Sequence, residues 1–590
     1  MIFTYIFIAL SNIAYIMFLV KPSLRINYKN VCRNLNSAKK ILCRENSNIV
    51  YSPFPNVEIP DILLPHFIFQ NFDQVSNKVA VECDLTGKKY TFDEIRTKSI
   101  NFSTNLRKKL KLNNNDIVAV ILPNVPDFPI CVLGAMQAGI AITPLDVKCT
   151  PDEISYQISA LNVKAIVTLN QLYHSVKRAI NITKRSIPIL TVKLQQTNVT
   201  PEGALDFNEF INAKAQVEEQ KDLSPDSLAV LPYTSGTTGK AKGVHISHRN
   251  LVANLCQFNA KDIAHHPVRS ENHENLLLGI LPWSFSFGST VGLFNHLYNL
   301  SKIVSTPNFT VKGFIDAIMK HKPNLLYVVP SLFLLMSTNP AFKTETLDSV
   351  QVILSSSSPL GSKDEEFFLN KVKKDINILQ VYGLTETQAV LFQTVETKRR
   401  LKLSETNYAL LPNTSIKIIS KDNNTSTACL GPNEAGEILI KGPQITKGYY
   451  NCPSKTEEAF SDGWLKTGDL GYYDKNRFFC ICDRIKDLIK VNGVQVAPAE
   501  LEELVRTYDN VEDVAVIGIP HSKYGEIPLA YVVPHLNNKL SVDGLQQYVS
   551  ERVANYKHLK GGVIVVDSLP RNSVGKVLRN ELKSEYLSRM

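Results

Sequence analysis

None of the ten cysteines stands in a CxxC pair, only two tryptophans occur, and no internal repeat or long low-complexity linker breaks the 590 residues. Without close, regular cysteine spacing there is neither a zinc site nor a disulfide framework. Cys480 and Cys482 come nearest, and their alternation on a strand-like run is expected to point them to opposite faces. Buried, reduced thiols in an intracellular protein are the plain expectation. Glycine (27) and proline (30) are not in excess, which excludes a collagenous chain. A hydrophobic share of 44% and a charged share of 20% exclude a wholly disordered one. The length is enough for roughly three to five domains.

Acidic residues are missing from positions 1–44, which hold seven bases: Lys21, Arg25, Lys29, Arg33, Lys39, Lys40 and Arg44. Of the net charge of +10, only +3 then falls on the remaining residues, and a nucleic-acid-binding body is not indicated. Charge of either sign is missing from residues 1–20, whose length as a helix is about 30 Å, a bilayer core. The bases follow this apolar stretch and no A-x-A-like site succeeds it, unlike a secretory signal. As an anchor it would leave the rest of the chain facing the cytosol. An organelle presequence and a misassigned upstream extension are the other readings. At the opposite end, Ser588-Arg589-Met590 has the small–basic–aliphatic pattern of a peroxisomal address read by an import receptor.

From about residue 78, strand and helix patterns alternate, which predicts an α/β fold of layered, largely parallel sheets and helices. Thr91 to Glu94 reads as a capping box, with Ile95, Phe102, Leu106 and Leu110 near helical spacing behind it. Asp116 to Leu122 reads as a buried strand, Ile130 to Gln137 as helix, and the IAIT run after Gly139 as strand. Pro498 opens a second clear helix, and VAVIGI returns as strand.

The densest chemical signal is Tyr233-Thr234-Ser235-Gly236-Thr237-Thr238-Gly239-Lys240-Ala241-Lys242-Gly243. Its glycines admit close backbone approach, its hydroxyls bond oxygen, and its lysines attract phosphate. It is not a Walker loop: two residues, not four, separate Gly236 from Gly239, and Ala241 follows the lysine. Further on, Gln380-Val381-Tyr382-Gly383-Leu384-Thr385-Glu386 closes a strand-like run, where α/β sheets bind ligands. Tyr382 is suited to stack on a purine, Thr385 to bond a phosphate and Glu386 to hold Mg2+. Asp469, between glycines, suits two ribose hydroxyls. Lys576, on a Gly-containing loop, suits charge developing during phosphoryl transfer.

In this order, the segments TSGTTGKAKGV, YGLTE, GEILIKGPQITKGYY, GWLKTGDLG, DRIKDLIKVNGVQVAPAELE and PRNSVGKVLR resemble the adenylate-forming superfamily, and within it the 4-coumarate–CoA ligase-like and luciferase-like branch. The resemblance runs from about residue 50 to the end. It implies a large AMP-binding domain over 46–484 and a small mobile α+β domain over 485–590, with 1–45 an added segment. It also implies an acid–thiol ligase using ATP, Mg2+ and CoA on an apolar carboxylic acid such as a fatty acid or a hydroxycinnamate. Thr234, Ser235, Gly236, Thr237, Thr238 and Lys242 would wrap phosphates. Gln380, Tyr382 and Thr385 would contact the adenylate, Glu386 the Mg2+, and Asp469 with Arg484 the ribose. Lys576 would serve adenylation, Lys486 would fall at the hinge, and Lys490 with Gln495 would meet the adenylate or the thioester-forming side.

The chain also departs from the pattern. Phe285 stands where many relatives have histidine, and Ser355 to Ser358 replace a Gly/Ala-rich strand end, which is expected to narrow the carboxylate pocket or make it more polar. Val381 replaces a glycine. Asn492 and Asn308 stand at or near positions where lysines contact CoA, which weakens that contact electrostatically. A different acceptor, or a non-catalytic adenylate-binding protein, are the alternative readings.

Overall fold

The computed structural model describes residues 48–589 apart from 196, 215–222, 235–241, 264–273, 394–407, 421–428, 493, 536–539 and 573–574. The apolar segment 1–20, its basic linker and Met590 lie outside the described residues. Among the described residues no helix is long and apolar enough to cross a membrane.

The Phe92–Leu110 helix starts on the expected capping box, in which Glu94 N donates to Thr91 Oγ1 (3.2 Å) and Thr91 N to Glu94 Oε2 (2.9 Å). Two backbone donors left over at the helix start are thereby satisfied. Its Ile95, Phe102 and Leu106 are fully buried. The strand Ile117–Ile121, buried at every position, pairs in parallel with Ala141–Pro144 on one side and Ala165–Leu169 on the other inside a seven-stranded sheet. Continuous β-branched runs of this kind belong to strands covered on both faces.

A nine-stranded sheet has a parallel centre, from Asn377–Leu384 through Val352–Ser355 and Leu325–Val328 to Val79–Cys83, with antiparallel strands at both edges. One apolar cluster joins Val118 and Val120 of the first sheet to Val81 and Ile303 of the second through Phe102, Phe128 and Leu133. Helices therefore lie between the two sheets. A third, antiparallel sheet carries Trp464–Tyr473 and its partner Phe479–Arg484.

The His248–Phe258 helix locks this third unit to the others with buried amides. Asn250 Nδ2 donates to Pro443 O (2.9 Å), Asn254 Nδ2 to Ala389 O (2.8 Å) and Gln257 Nε2 to Pro412 O (2.8 Å). Each amide satisfies a carbonyl that would otherwise be buried unpaired.

Strand Phe479–Arg484 ends the third sheet, and a separate five-stranded sheet begins with Ile489–Val491. Against it pack the helices Pro498–Arg506, Val542–Ser550 and Arg579–Ser588. The molecule is thus a large α/β domain followed by a small α+β domain. One expectation needs correction: residues two apart on a strand share a face. Cys480 and Cys482 on Phe479–Arg484 accordingly face each other, and the Cys480 thiol together with burial pushes the Cys482 thiol up. Neither forms a disulfide.

Candidate active site

A cavity of about 900 Å3 opens where the three units of the large domain meet the small one. At one end two short strands pair Tyr233 with Gly243 and Thr234 with Lys242. Both Thr234 and Lys242 line the cavity, at the two stems of the Gly/Ser/Thr loop. Ser235, Gly236, Thr237 and Thr238 lie outside the described residues.

Facing these stems is the hairpin between Asn377–Leu384 and Gln388–Phe392, which presents Thr385 and Glu386. Its register slips between Tyr382 and Gly383, and a Cβ on Gly383 would stand 1.9 Å from Gln388 O. Only glycine closes this turn. Glu386 Oε1 accepts from the Tyr449 hydroxyl (2.9 Å), and Lys242 Nζ lies 5.0 Å from the centre of the Tyr449 ring. Tyr449 thus bridges the loop stem and the carboxylate. Burial, reinforced by Glu386, pushes its hydroxyl up.

Asp469 and Arg484 sit opposite one another on adjacent antiparallel strands. Arg484 Nε is 2.7 Å from Asp469 Oδ1, and the Tyr382 hydroxyl donates to Asp469 Oδ2 at 2.6 Å. Burial raises the Asp469 carboxyl and Arg484 opposes the shift. Arg484 reaches the cavity wall, while Asp469 and Tyr382 stand behind it as its support. Gln380 is deeper still: its Nε2 donates to Leu360 O (3.1 Å), and its Oε1 accepts from Leu360 N (3.0 Å) and the Tyr408 hydroxyl (3.2 Å). With its amide so engaged, Gln380 braces the strand and does not line the cavity.

Lys576 enters the same cavity from the small domain, beside Lys486 and Arg484. Its backbone N donates to Asn572 Oδ1 (2.9 Å), and Asn572 N returns a bond to Lys576 O (3.0 Å). Gly575, at φ +78°, lies so close to the large domain that a Cβ there would be 2.5 Å from Ser331 Oγ. Burial, then Arg484 and Lys486, bring the Lys576 ammonium down to about 8. Burial also lowers Lys486. Lys490 and Gln495 are not brought in. They pair across the hairpin Ile489–Val491/Val494–Val496, both exposed and away from the cavity lining.

The remaining wall is apolar: Leu281, Pro282, Phe285, Phe287, Val291 and Val329. Phe285 faces the cavity in place of a polar ring. A π-helix, Phe287–Phe294, forms this side, and a Cβ on Gly288 would strike Pro282 O at 2.2 Å. Ser356 and Ser357 add hydroxyls to the lining; Ser356 Oγ donates to Val381 O (2.8 Å) and Ser357 adopts φ +80°.

Tyr449 and Gln388 line the cavity at positions that the motifs do not single out. Gln388 Nε2 donates to Thr385 O (2.9 Å) and its Oε1 accepts from Thr290 Oγ1 (2.8 Å), tying the π-helix to the Thr385–Glu386 turn. Both lie inside or beside recognisable segments, so their nearness to the motifs is the only signal the sequence offers.

Apolar wall, carboxylate-bearing turn and converging cations suit a phosphorylated ligand next to an apolar one. The AMP-binding enzyme family model matches residues 68–450, and the AMP-binding enzyme C-terminal domain model matches 500–576. The chain belongs to the AMP-binding enzyme family, as an adenylate-forming enzyme of the acid–thiol ligase class. It is 32% identical to the probable 4-coumarate–CoA ligase 3 of Dictyostelium discoideum, over 90% of this chain and 97% of that one. To 4-coumarate–CoA ligase 1 of Arabidopsis thaliana it is also 32% identical, over 92% and 96%. Among solved structures, ATP-bound MatB from Rhodopseudomonas palustris superposes with a TM-score of 0.77 at 25% identity, over 89% of this chain and 99% of that one.

Proposed function

We propose that the chain is an ATP-dependent acyl-CoA synthetase that activates an apolar carboxylic acid, a fatty acid or a hydroxycinnamate-like acid, through an acyl-adenylate. The observation that carries this reading is the convergence of Lys576, Arg484 and the Thr385–Glu386 turn on one cavity with an apolar wall. The relatives named as 4-coumarate–CoA ligases, matched over nearly their whole length, support the same reaction class.

In the first half-reaction a carboxylate oxygen bonds to the α-phosphorus of ATP, the α–β bridging bond breaks, and pyrophosphate leaves. Negative charge builds between carboxylate and phosphate, and the Lys576 ammonium lining the cavity would offset it and lower the barrier. Thr234, Lys242 and the loop between them take the outer phosphates, and Arg484, held by Asp469, takes the ribose side. In the second half-reaction the CoA thiol attacks the acyl carbonyl, its proton is lost to solvent, and AMP leaves. Phe285 adds to the apolar wall of this chamber and gives it no polar handle.

The residues present fit Mg2+. Among the described residues no group of three acids, histidines or cysteines converges to cage an ion. Mg2+ typically takes one or two carboxylates together with substrate phosphates. Glu386 would hold it, with Tyr449 fixing the carboxylate, and the ion would neutralise phosphate charge.

A panel of carboxylic acids with ATP and Mg2+, scored for pyrophosphate release with and without CoA and for thioester by mass spectrometry, tests the reading. A CoA-dependent thioester establishes it. Pyrophosphate without thioester points to another acceptor, and silence across the panel to a binding protein. For location we propose a peroxisomal address at Ser588-Arg589-Met590, with a membrane-anchored form through residues 1–20 as the alternative. Fluorescent fusions lacking either end decide between them.

A further inference from the structure

The helix Pro498–Arg506 is held at both ends by carboxylates of the large domain. At its start Ala497 supplies no side-chain cap and Pro498 has no N–H. Asp483, at the end of the third sheet, fills that place: its Oδ2 accepts from Ala499 N at 3.0 Å. At the other end Arg506, the last helical residue, lies with Nη1 3.5 Å from Oδ2 of Asp364, in the first turn of Ser362–Val372. Only 18% of the Asp364 side chain and 23% of the Arg506 side chain are exposed. Burial raises the Asp364 carboxyl even against Arg506, with Glu503 and Asp513 adding to the rise. A pair this dry loses more on removal of one partner than a solvated surface pair does.

The grip reaches Lys576 through the small domain. Glu502, on the same helix, accepts from Val516 N (2.9 Å) and pairs with Arg579 (2.6 Å), so the helix and its sheet move together. From that sheet Asp513 pairs with Arg571 (2.5 Å), and Arg571 donates to Gly575 O, one residue before Lys576.

We propose that Asp364 and Asp483 are positioning residues that clamp the Pro498–Arg506 helix and so hold the small domain in the orientation that places Lys576 in the cavity. The consequence for turnover rests on the acyl-CoA synthetase reading, taken with a small domain that turns about the Lys486 hinge between the half-reactions, so that Lys576 serves the first and is withdrawn for the second. Weakening the clamp shifts the balance between orientations without touching either chemistry.

The test measures the two half-reactions separately in Asp364→Asn and Asp483→Ala, as acid-dependent exchange of pyrophosphate into ATP and as thioester formation from synthetic acyl-AMP with CoA. Exchange should fall about 5- to 10-fold, the size expected for loss of one part-buried pair or one helix cap, while thioester formation stays within about twofold or rises. Reversal of the pair, Asp364→Arg with Arg506→Asp, should recover exchange. Equal loss of both half-reactions, or no loss of either, overturns the proposal. Should Asp364→Asn fail to fold, Arg506→Gln and Arg506→Lys serve in its place. Hydrogen exchange of the unliganded chain supplies a readout that needs no substrate. Residues 571, 572 and 575–577 should lose protection in the variants, and unchanged protection overturns the clamp. If no acid yields a thioester in the unaltered chain, the synthetase reading fails while the hydrogen-exchange measurement still decides the clamp.

Discussion

Lys576 is the residue whose surroundings predict the most. Replacing it by alanine should abolish adenylate formation yet leave thioester formation from pre-made acyl-AMP, and equal loss of both would sink the assigned role. Its ammonium, brought down to about 8, carries the charge that adenylation needs only below that value. The adenylation kcat/KM should therefore be level below about pH 8 and fall above it. Bound phosphates favour the charged form, so the matching limb in kcat should move to higher pH. In Lys576→Arg the alkaline limb should vanish, since guanidinium stays charged throughout. A pH–rate profile of pyrophosphate exchange checks all three.

Tyr449 is the counterpart that the motifs do not reveal. Its hydroxyl donates to Glu386 at 2.9 Å, and a hydrogen bond to a charged group contributes about 1.5–3 kcal/mol. Tyr449→Phe should accordingly cost stability of that order in thermal unfolding and, by freeing the carboxylate that would hold Mg2+, raise the Mg-ATP requirement about 10-fold in a titration. Lys576, Arg484 and Glu386 are legible in the sequence because each stands in a short pattern of unusual composition. Tyr449 is not, because one tyrosine in a GYY run carries no sign of which hydroxyl meets a carboxylate 63 residues away.

Elements follow the sequence where one local rule dominates. The capping box at Thr91, the buried run Ile117–Ile121 and the Pro-started helix at 498 each form as their own residues dictate. The His248–Phe258 helix does not yield to that reading. Asn250, Asn254 and Gln257 have the spacing of a solvated face, yet all three are buried and spend their amides on distant carbonyls. Local pattern cannot separate a wet polar stripe from one that binds other loops. The turn carrying Thr385 and Glu386 depends on such contacts and on Gly383. Gly383→Ala forces a Cβ to 1.9 Å from Gln388 O, so the hairpin must open. It should cost about 2–4 kcal/mol of stability, seen in urea or thermal unfolding, and remove pyrophosphate exchange in whatever protein still folds.

At the scale of the whole molecule, the site exists only while two domains meet. Lys576 comes from one, and Arg484, Glu386 and the apolar wall come from the other. Sequence motifs name both partners but not their spatial relation, since the contact between residue 575 and Ser331 follows from the way two finished domains dock. That contact offers a direct handle on the orientation. A Cβ built on Gly575 would lie 3.7 Å from Ser331 Cβ, within the 3.5–4.5 Å range a disulfide spans. Ser331→Cys with Gly575→Cys should therefore cross-link under mild oxidation, despite the strained backbone at 575. With Lys576 held in the cavity, acid-dependent pyrophosphate exchange should persist, whereas CoA thioester formation should drop at least about 10-fold and return on reduction. The two single variants, carried through the same oxidation, remove any contribution from the native thiols. Thioester formation that continues undiminished in the cross-linked protein would mean that both half-reactions run in the one orientation, and that the small domain need not turn.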